Sequence, residues 1–252
     1  MVAGLDIFKD RLEAHSDGYV MIGGAACSVL MEREGIPFRA TRDLDMVVVV
    51  ERMTSEFAAD FWAFLREGAY RNLQQGAGKG GVQLYRFDQP ETEGFPVMLE
   101  LFCRAPLMMT VEDGAMIVPL PLDGELSSLS AILLDPEAYE FVIGGSEVVD
   151  GIRVLNATHL IALKAQAWAD LKRRKEAGEK VDSRAVKKHP KDIARLAALL
   201  LPESRIELPK SLAKDLATFT SANHRLEGEP LKAAALTEPE LHALLREVFR
   251  IR

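Results

Sequence analysis

The chain has 252 residues, 48% hydrophobic and 27% charged, with a formal net charge of -7. That is ordinary for a globular chain of one large or two modest domains, and it excludes a wholly basic nucleic-acid binder. No run of about 18 apolar residues occurs, so no membrane-spanning helix is expected, and the amphipathic, early-acidic start lacks the pattern of a signal peptide.

Residues 4–15 read as a short amphipathic helix, with Leu5, Phe8 and Leu12 at helical spacing. An apolar strand over 19–22 is broken by Gly23 and Gly24, and 25–33 reads as a helix. A loop over 35–41 leads to a valine-rich strand over 43–50. Thr54 or Ser55 caps a helix running to about residue 67. The glycine-rich 74–81 reads as a turn that mimics a phosphate loop without its spacing, followed by strands over 82–87 and 97–103. Hairpins are expected over 107–122 and 139–155. Four helices then follow, over 158–177, 190–200, 210–220 and 238–250. The fold class expected is α+β. A catalytic domain over 1–125 would carry a short mixed sheet, and a mainly helical region over 126–252 would complete its cleft. Cys27 and Cys103 sit in apolar surroundings and read as reduced thiols, in keeping with a cytoplasmic location.

Two acids stand out. Asp43 and Asp45 open the valine run, and positions i and i+2 of a strand face the same way. Two carboxylates aimed at one point repel each other; a magnesium ion, with manganese as the alternative, relieves that repulsion and brings phosphate oxygens with it. Solvated acids at a strand start are the plainer reading. The preceding order weighs against it: a glycine pair opening a helix offers backbone amides to phosphates, with Ser28 one turn on and Arg39 and Arg42 in the following loop. Glu100, between Leu99 and Leu101, needs a partner; a metal ion and a buried arginine are the two choices, and the upstream motif favours the metal. Lys164 falls at the edge of a stripe formed by Leu160, Leu163, Ala167 and Leu171, where it must either snorkel or meet an anion such as a triphosphate. Asp192 follows Pro190 and Lys191, and a favourable helix start explains it without function. Residues 172–191 hold nine Lys/Arg against three Asp/Glu, a local +6 that suits a polyanion as well as a solvated face.

The glycine pair, the D-x-D and the third acid resemble the polymerase-beta-type nucleotidyltransferase superfamily. "IGGAACSVL" and "RATRDLDMVV", eighteen residues from Gly24 to Asp43, are more narrowly similar to the AbiEii-like nucleotidyltransferases of toxin–antitoxin systems. That branch also carries a lysine in an apolar helix and a downstream Lys-Asp pair, matched here by Lys164 and by Lys191 and Asp192. Ala25 departs from the serine or threonine common after the glycines. The resemblance implies transfer of a nucleoside monophosphate from an NTP to an acceptor hydroxyl. Asp43, Asp45 and Glu100 would hold magnesium, and Asp192 would join catalysis. Gly23, Gly24, Ser28, Arg42, Lys164 and Lys191 would bind the nucleotide. The acceptor expected is RNA, above all tRNA, and a cognate antitoxin is the expected protein partner. A small-molecule or protein nucleotidyltransferase of the antibiotic-modifying type is the enzymatic alternative; an inactive binding module on the same fold is the other.

Overall fold

The computed structural model describes residues 2–52, 54–77, 83–103, 117–119, 135–201 and 203–251. It divides into two compact units, one of Met1–Leu122 with Ser146–Leu155, the other of Asp123–Gly145 with Asn156–Arg252. The chain is a mixture of helix and mixed sheet, and no helix among the described residues is long and apolar enough to cross a membrane. The hairpin expected over 107–122 and the tip of the glycine-rich turn lie largely outside the described residues.

The first unit is built on one eight-stranded sheet. Its strands are β1 (Tyr19–Ile22), β2 (Asp43–Val48), β3 (Tyr70–Ala77), β4 (Gln83–Pro90), β5 (Met98–Cys103), β6 (Ile117–Pro119), β7 (Ser146–Val149) and β8 (Ile152–Leu155), in the order β6-β3-β4-β5-β2-β1-β8-β7. The sheet is therefore wider than the short one expected. β2 lies parallel to β5 and antiparallel to β1, and β1 lies parallel to β8.

Residues paired across neighbouring strands share a face, so the register sorts the side chains. Tyr19 pairs with Val48, Met21 with Met46, Met46 with Leu101, Leu44 with Leu99, and Leu99 with Phe87. All of these are buried. Helices α1 (Leu5–Leu12) and α3 (Ser55–Gly68) cover this apolar face: Phe8 meets Tyr19 edge-on at 5.3 Å between ring centres, and Phe61 meets Phe87 at 5.9 Å. Thr54 caps α3, accepting the Phe57 N–H at 3.1 Å. The opposite face carries Asp43, Asp45, Arg86 and Glu100. The helix between β1 and β2, α2 (Gly23–Arg33), begins at the first glycine of the pair, two residues earlier than the sequence suggests.

The expected hairpin over 139–155 is only partly a hairpin. Its first apolar run is helix α4 (Pro136–Gly144), capped by Asp135 with Pro136 in the first turn. Period alone does not separate a short buried helix from a strand, and the cap lay just outside the apolar run. The hairpin itself is β7 and β8, joined by Asp150 and Gly151, both with positive φ (49° and 83°), the backbone of a tight two-residue turn.

The second unit is helical: α4, α5 (Ala157–Glu176), α6 (Ser183–Leu196), α7 (Lys210–Thr220), α8 (Glu229–Lys232) and α9 (Glu238–Val248). α5 packs on α6 and α7. Its stretch 160–166 is buried at every position, so the one-sided stripe expected there is too narrow a description. α6 does not start at Pro190. It starts at Ser183, capped by Asp182, and Pro190 lies inside it. A proline there removes one backbone hydrogen bond, a loss that burial of Ile193, Ala194 and Leu196 offsets.

Candidate functional site

The acidic face of the sheet is set by register. Across β1, β2, β5 and β4, one row reads Ile22, Asp45, Glu100, Arg86; the next reads Asp43, Met98, Asp88 across β2, β5 and β4. Neighbouring strands lie about 4.8 Å apart, so Asp45 and Glu100 stand side by side on one face, with Asp43 two residues along β2. Asp43 and Asp45 are half-buried; Glu100 is 9% exposed. Of the two partners weighed for Glu100, the structure displays the arginine. Arg86 donates through Nε to Glu100 Oε1 at 2.7 Å and through Nη2 to the same oxygen. Both side chains are largely out of water, which strengthens the pair relative to one on the surface. Arg86 was missed in the sequence. The alternation around it marks a strand, but only cross-strand register brings it to Glu100.

The glycine pair is placed by that same face. Gly23 has φ +66°, and a Cβ there would lie 2.1 Å from Asp45 Oδ2. A side chain there would be strained by the positive φ and would push the Asp45 carboxylate aside. A Cβ on Gly24 would lie 3.1 Å from Thr41 Oγ1 and 3.2 Å from Arg39 Nη2. The loop ahead of β2 thus folds back over the start of α2, and Arg39 also stacks over Phe38 at 5.4 Å. Ile22 precedes α2 and supplies no side-chain cap. The amino end of an eleven-residue helix, a carboxylate and a guanidinium therefore meet in one place. Ser28 lies one turn beyond Gly24 and is 1% exposed, inside the packing of α2. Arg42 is exposed, and its carbonyl accepts the Val97 N–H at 3.0 Å, tying β2 to the strand that brings Glu100.

Lys164, Lys191 and Asp192 belong to the second unit. Lys164 Nζ donates to Asp192 Oδ2 at 2.9 Å, with side-chain exposures of 7% and 1%. The two residues singled out on separate grounds are thus one buried ion pair between α5 and α6. Lys191, next to Asp192, points to water. The two cysteines are buried free thiols, and burial pushes the Cys103 thiol well above its usual range. That makes it an inert core group rather than a nucleophile.

Scanned against family models, curated proteins and solved structures, the chain finds no match in any of the three.

Proposed function

We propose that the protein is a metal-dependent nucleotidyltransferase, with Asp43 and Asp45 at its centre. The observation that carries the reading is the contact between the two motifs: Gly23, whose absent side chain leaves room for Asp45 Oδ2, opens the helix that offers its amides beside the D-x-D pair. Two carboxylates on one strand face are the oxygen donors a magnesium or manganese ion takes, and Asp43 and Asp45 would be its ligands, although with Glu100 they do not form a group whose oxygens all lie within 4.8 Å of one another. Glu100 joins them only by sharing or exchanging Arg86. When bound, the ion would offset phosphate charge and favour ionisation of the acceptor hydroxyl.

The chain's own residues would do the rest. Backbone amides at the start of α2 and the Arg39 guanidinium would hold phosphate oxygens. A carboxylate of the pair would take the proton of the acceptor hydroxyl. That oxygen would then bond to the α-phosphorus of the NTP as the bond to the β-phosphate bridge breaks and pyrophosphate leaves. RNA, with tRNA first, is the acceptor supported by the basic stretch 172–191. A toxin role with a cognate antitoxin follows from the family resemblance alone. One observation favours the second reading, a binding module without catalysis: Glu100 already has an internal cation in Arg86.

The test is transfer of label from each α-labelled NTP, with magnesium, to tRNA, extract protein or a small-molecule panel. Label on one acceptor, reduced at least about 100-fold in Asp45→Ala, is the expected result. Gly23→Ala should lose transfer as well, because its new methyl group collides with Asp45. Absence of both transfer and magnesium-dependent NTP binding in the wild type, read by calorimetry, would sink the catalytic reading.

A further inference from the structure

A second cluster of metal-ligating side chains lies in the helical unit, apart from the acids of the sheet. Glu238 and His242 are one turn apart on α9 and face His224 from the segment that follows α7. One ligand atom from each lies within 4.8 Å of the other two, and no other such group of His, Cys, Asp or Glu occurs among the described residues. We propose that His224, Glu238 and His242 form a site for a divalent late transition metal, with Zn²⁺ as the first choice. This inference does not rest on the transferase reading.

The hydrogen bonds around the trio leave each residue an atom with a lone pair to give. His224 Nε2 lies 2.9 Å from the Phe219 carbonyl oxygen. A carbonyl only accepts, so Nε2 carries the hydrogen and Nδ1 keeps its lone pair. Metal-binding histidines are commonly oriented this way, the second nitrogen donating to a backbone carbonyl. The ring is held by stacking on Phe219 at 4.0 Å and by the Trp168 ring at 4.7 Å. Glu238 is fixed by two backbone amides: Oε1 accepts the His224 N–H at 2.6 Å and Oε2 the Leu226 N–H at 2.8 Å. Each oxygen retains a second lone pair. His242 Nε2 lies 3.9 Å from Glu238 Oε1, beyond hydrogen-bond length. That nitrogen is buried and meets no hydrogen-bond partner among the described residues. A buried imidazole nitrogen in that situation costs stability unless something answers it.

Distance agrees with a metal. Two ligands on a tetrahedral ion with bonds of about 2.0–2.1 Å stand roughly 3.3–3.4 Å apart, so the trio needs only a modest contraction. Arg246, which donates to the Thr220 carbonyl at 3.1 Å, and Lys172, over the Trp168 ring at 5.3 Å, keep their positive charge near the trio, and the Glu238 carboxylate is the charge that offsets them and the ion. Two imidazoles and one carboxylate select zinc, nickel or cobalt over magnesium. A cleft of about 620 Å³, lined by Leu226, Leu231, Lys232, Thr237, Glu238 and Glu240, opens beside Glu238.

The experiment uses the untagged 252-residue chain, stripped with EDTA and titrated with zinc chloride by calorimetry. One saturable site with a Kd of roughly 10 µM or tighter is expected, unaffected by millimolar magnesium. His224→Gln and His242→Gln should each weaken it at least about tenfold. Glu238 is left intact, since its carboxylate also holds two backbone amides. Histidine NMR of the wild type gives a readout that does not depend on the variants folding. Zinc should move the ring resonances of His224 and His242 and leave those of His15 and His159 in place. The proposal is overturned by the absence of saturable binding, by binding that both variants retain, or by zinc shifts at other histidines.

Discussion

Lys164 and Asp192 are tolerated in the core of the helical unit because each holds the other. A buried charge stripped of its partner is far more costly than the pair. Asp192 is 0% exposed and Lys164 5%, so removing the lysine leaves a carboxylate that water cannot reach. Lys164→Met is therefore expected to lower the unfolding free energy by about 3–5 kcal/mol, and the double variant Lys164→Met/Asp192→Leu to recover most of that loss. Urea denaturation of the two single variants and the double one measures it; additive losses would show that the residues do not act as a pair. The sequence contained both residues but not their meeting. Lys164 reads there as a snorkelling or anion-binding side chain and Asp192 as a helix-start acid, because partners 28 residues apart become visible only in packing. Glu100 and Arg86 repeat the lesson in the sheet. Asp43 and Asp45 share a strand face that local spacing alone sets, while the same spacing put the start of α2 two residues late.

At the scale of an element, the entry to α5 is sensitive to acid. Asn156 caps the helix and accepts from the His159 N–H at 3.1 Å, and its Oδ1 lies 2.7 Å from His159 Nδ1. The ring packs on Phe141 at 4.0 Å. Burial lowers the His159 pKa to about 4 from its usual 6.5. A charged imidazole in the first turn of a helix would also oppose the positive end of its dipole. With the folded value below the unfolded one, the unfolded chain binds more protons between these two pH values. The stability from a neutral His159 is complete above about pH 6.5 and is lost as pH falls towards about 4. Between pH 7 and pH 5 the wild type should lose about 1–2 kcal/mol more than His159→Gln, once solvent around the ring is allowed for. Urea midpoints at the two pH values decide it, and equal losses would remove His159 as the cause. The helix expected over 158–177 puts residue 159 at a helix entry, which is where it lies. Sequence reading took the apolar run from 139 as the first strand of a hairpin and started α6 at Pro190, since apolar period and a lone proline do not fix a boundary when the cap lies elsewhere.

At the scale of the whole molecule, a first domain of 1–125 leaves out two strands of the sheet, since the first compact unit is Met1–Leu122 together with Ser146–Leu155. β1 lies in the sheet interior, with β2 on one side and β8 on the other, and β8 comes from residues well past that point. Val154 pairs with Met21. Arg153 donates through Nε to the Ser16 carbonyl at 2.9 Å, and Arg33 reaches Glu147 at 3.1 Å. A fragment ending at 125 loses all of these and bares one edge of a fully buried strand, Tyr19–Ile22. An apolar edge with open backbone groups pairs with other chains. Fragment 1–125 is therefore expected to aggregate. Fragment 1–155 should stay soluble and monomeric once Tyr139→Ser and Val142→Ser remove apolar side chains of α4 that are buried in the full chain. Size-exclusion chromatography of the two fragments decides it. A monomeric, folded 1–125 would show that β7 and β8 are accessories to the sheet. Aggregation of 1–125 alone would show that the unit bearing Asp43, Asp45 and Glu100 is completed only when the chain returns to it after residue 145.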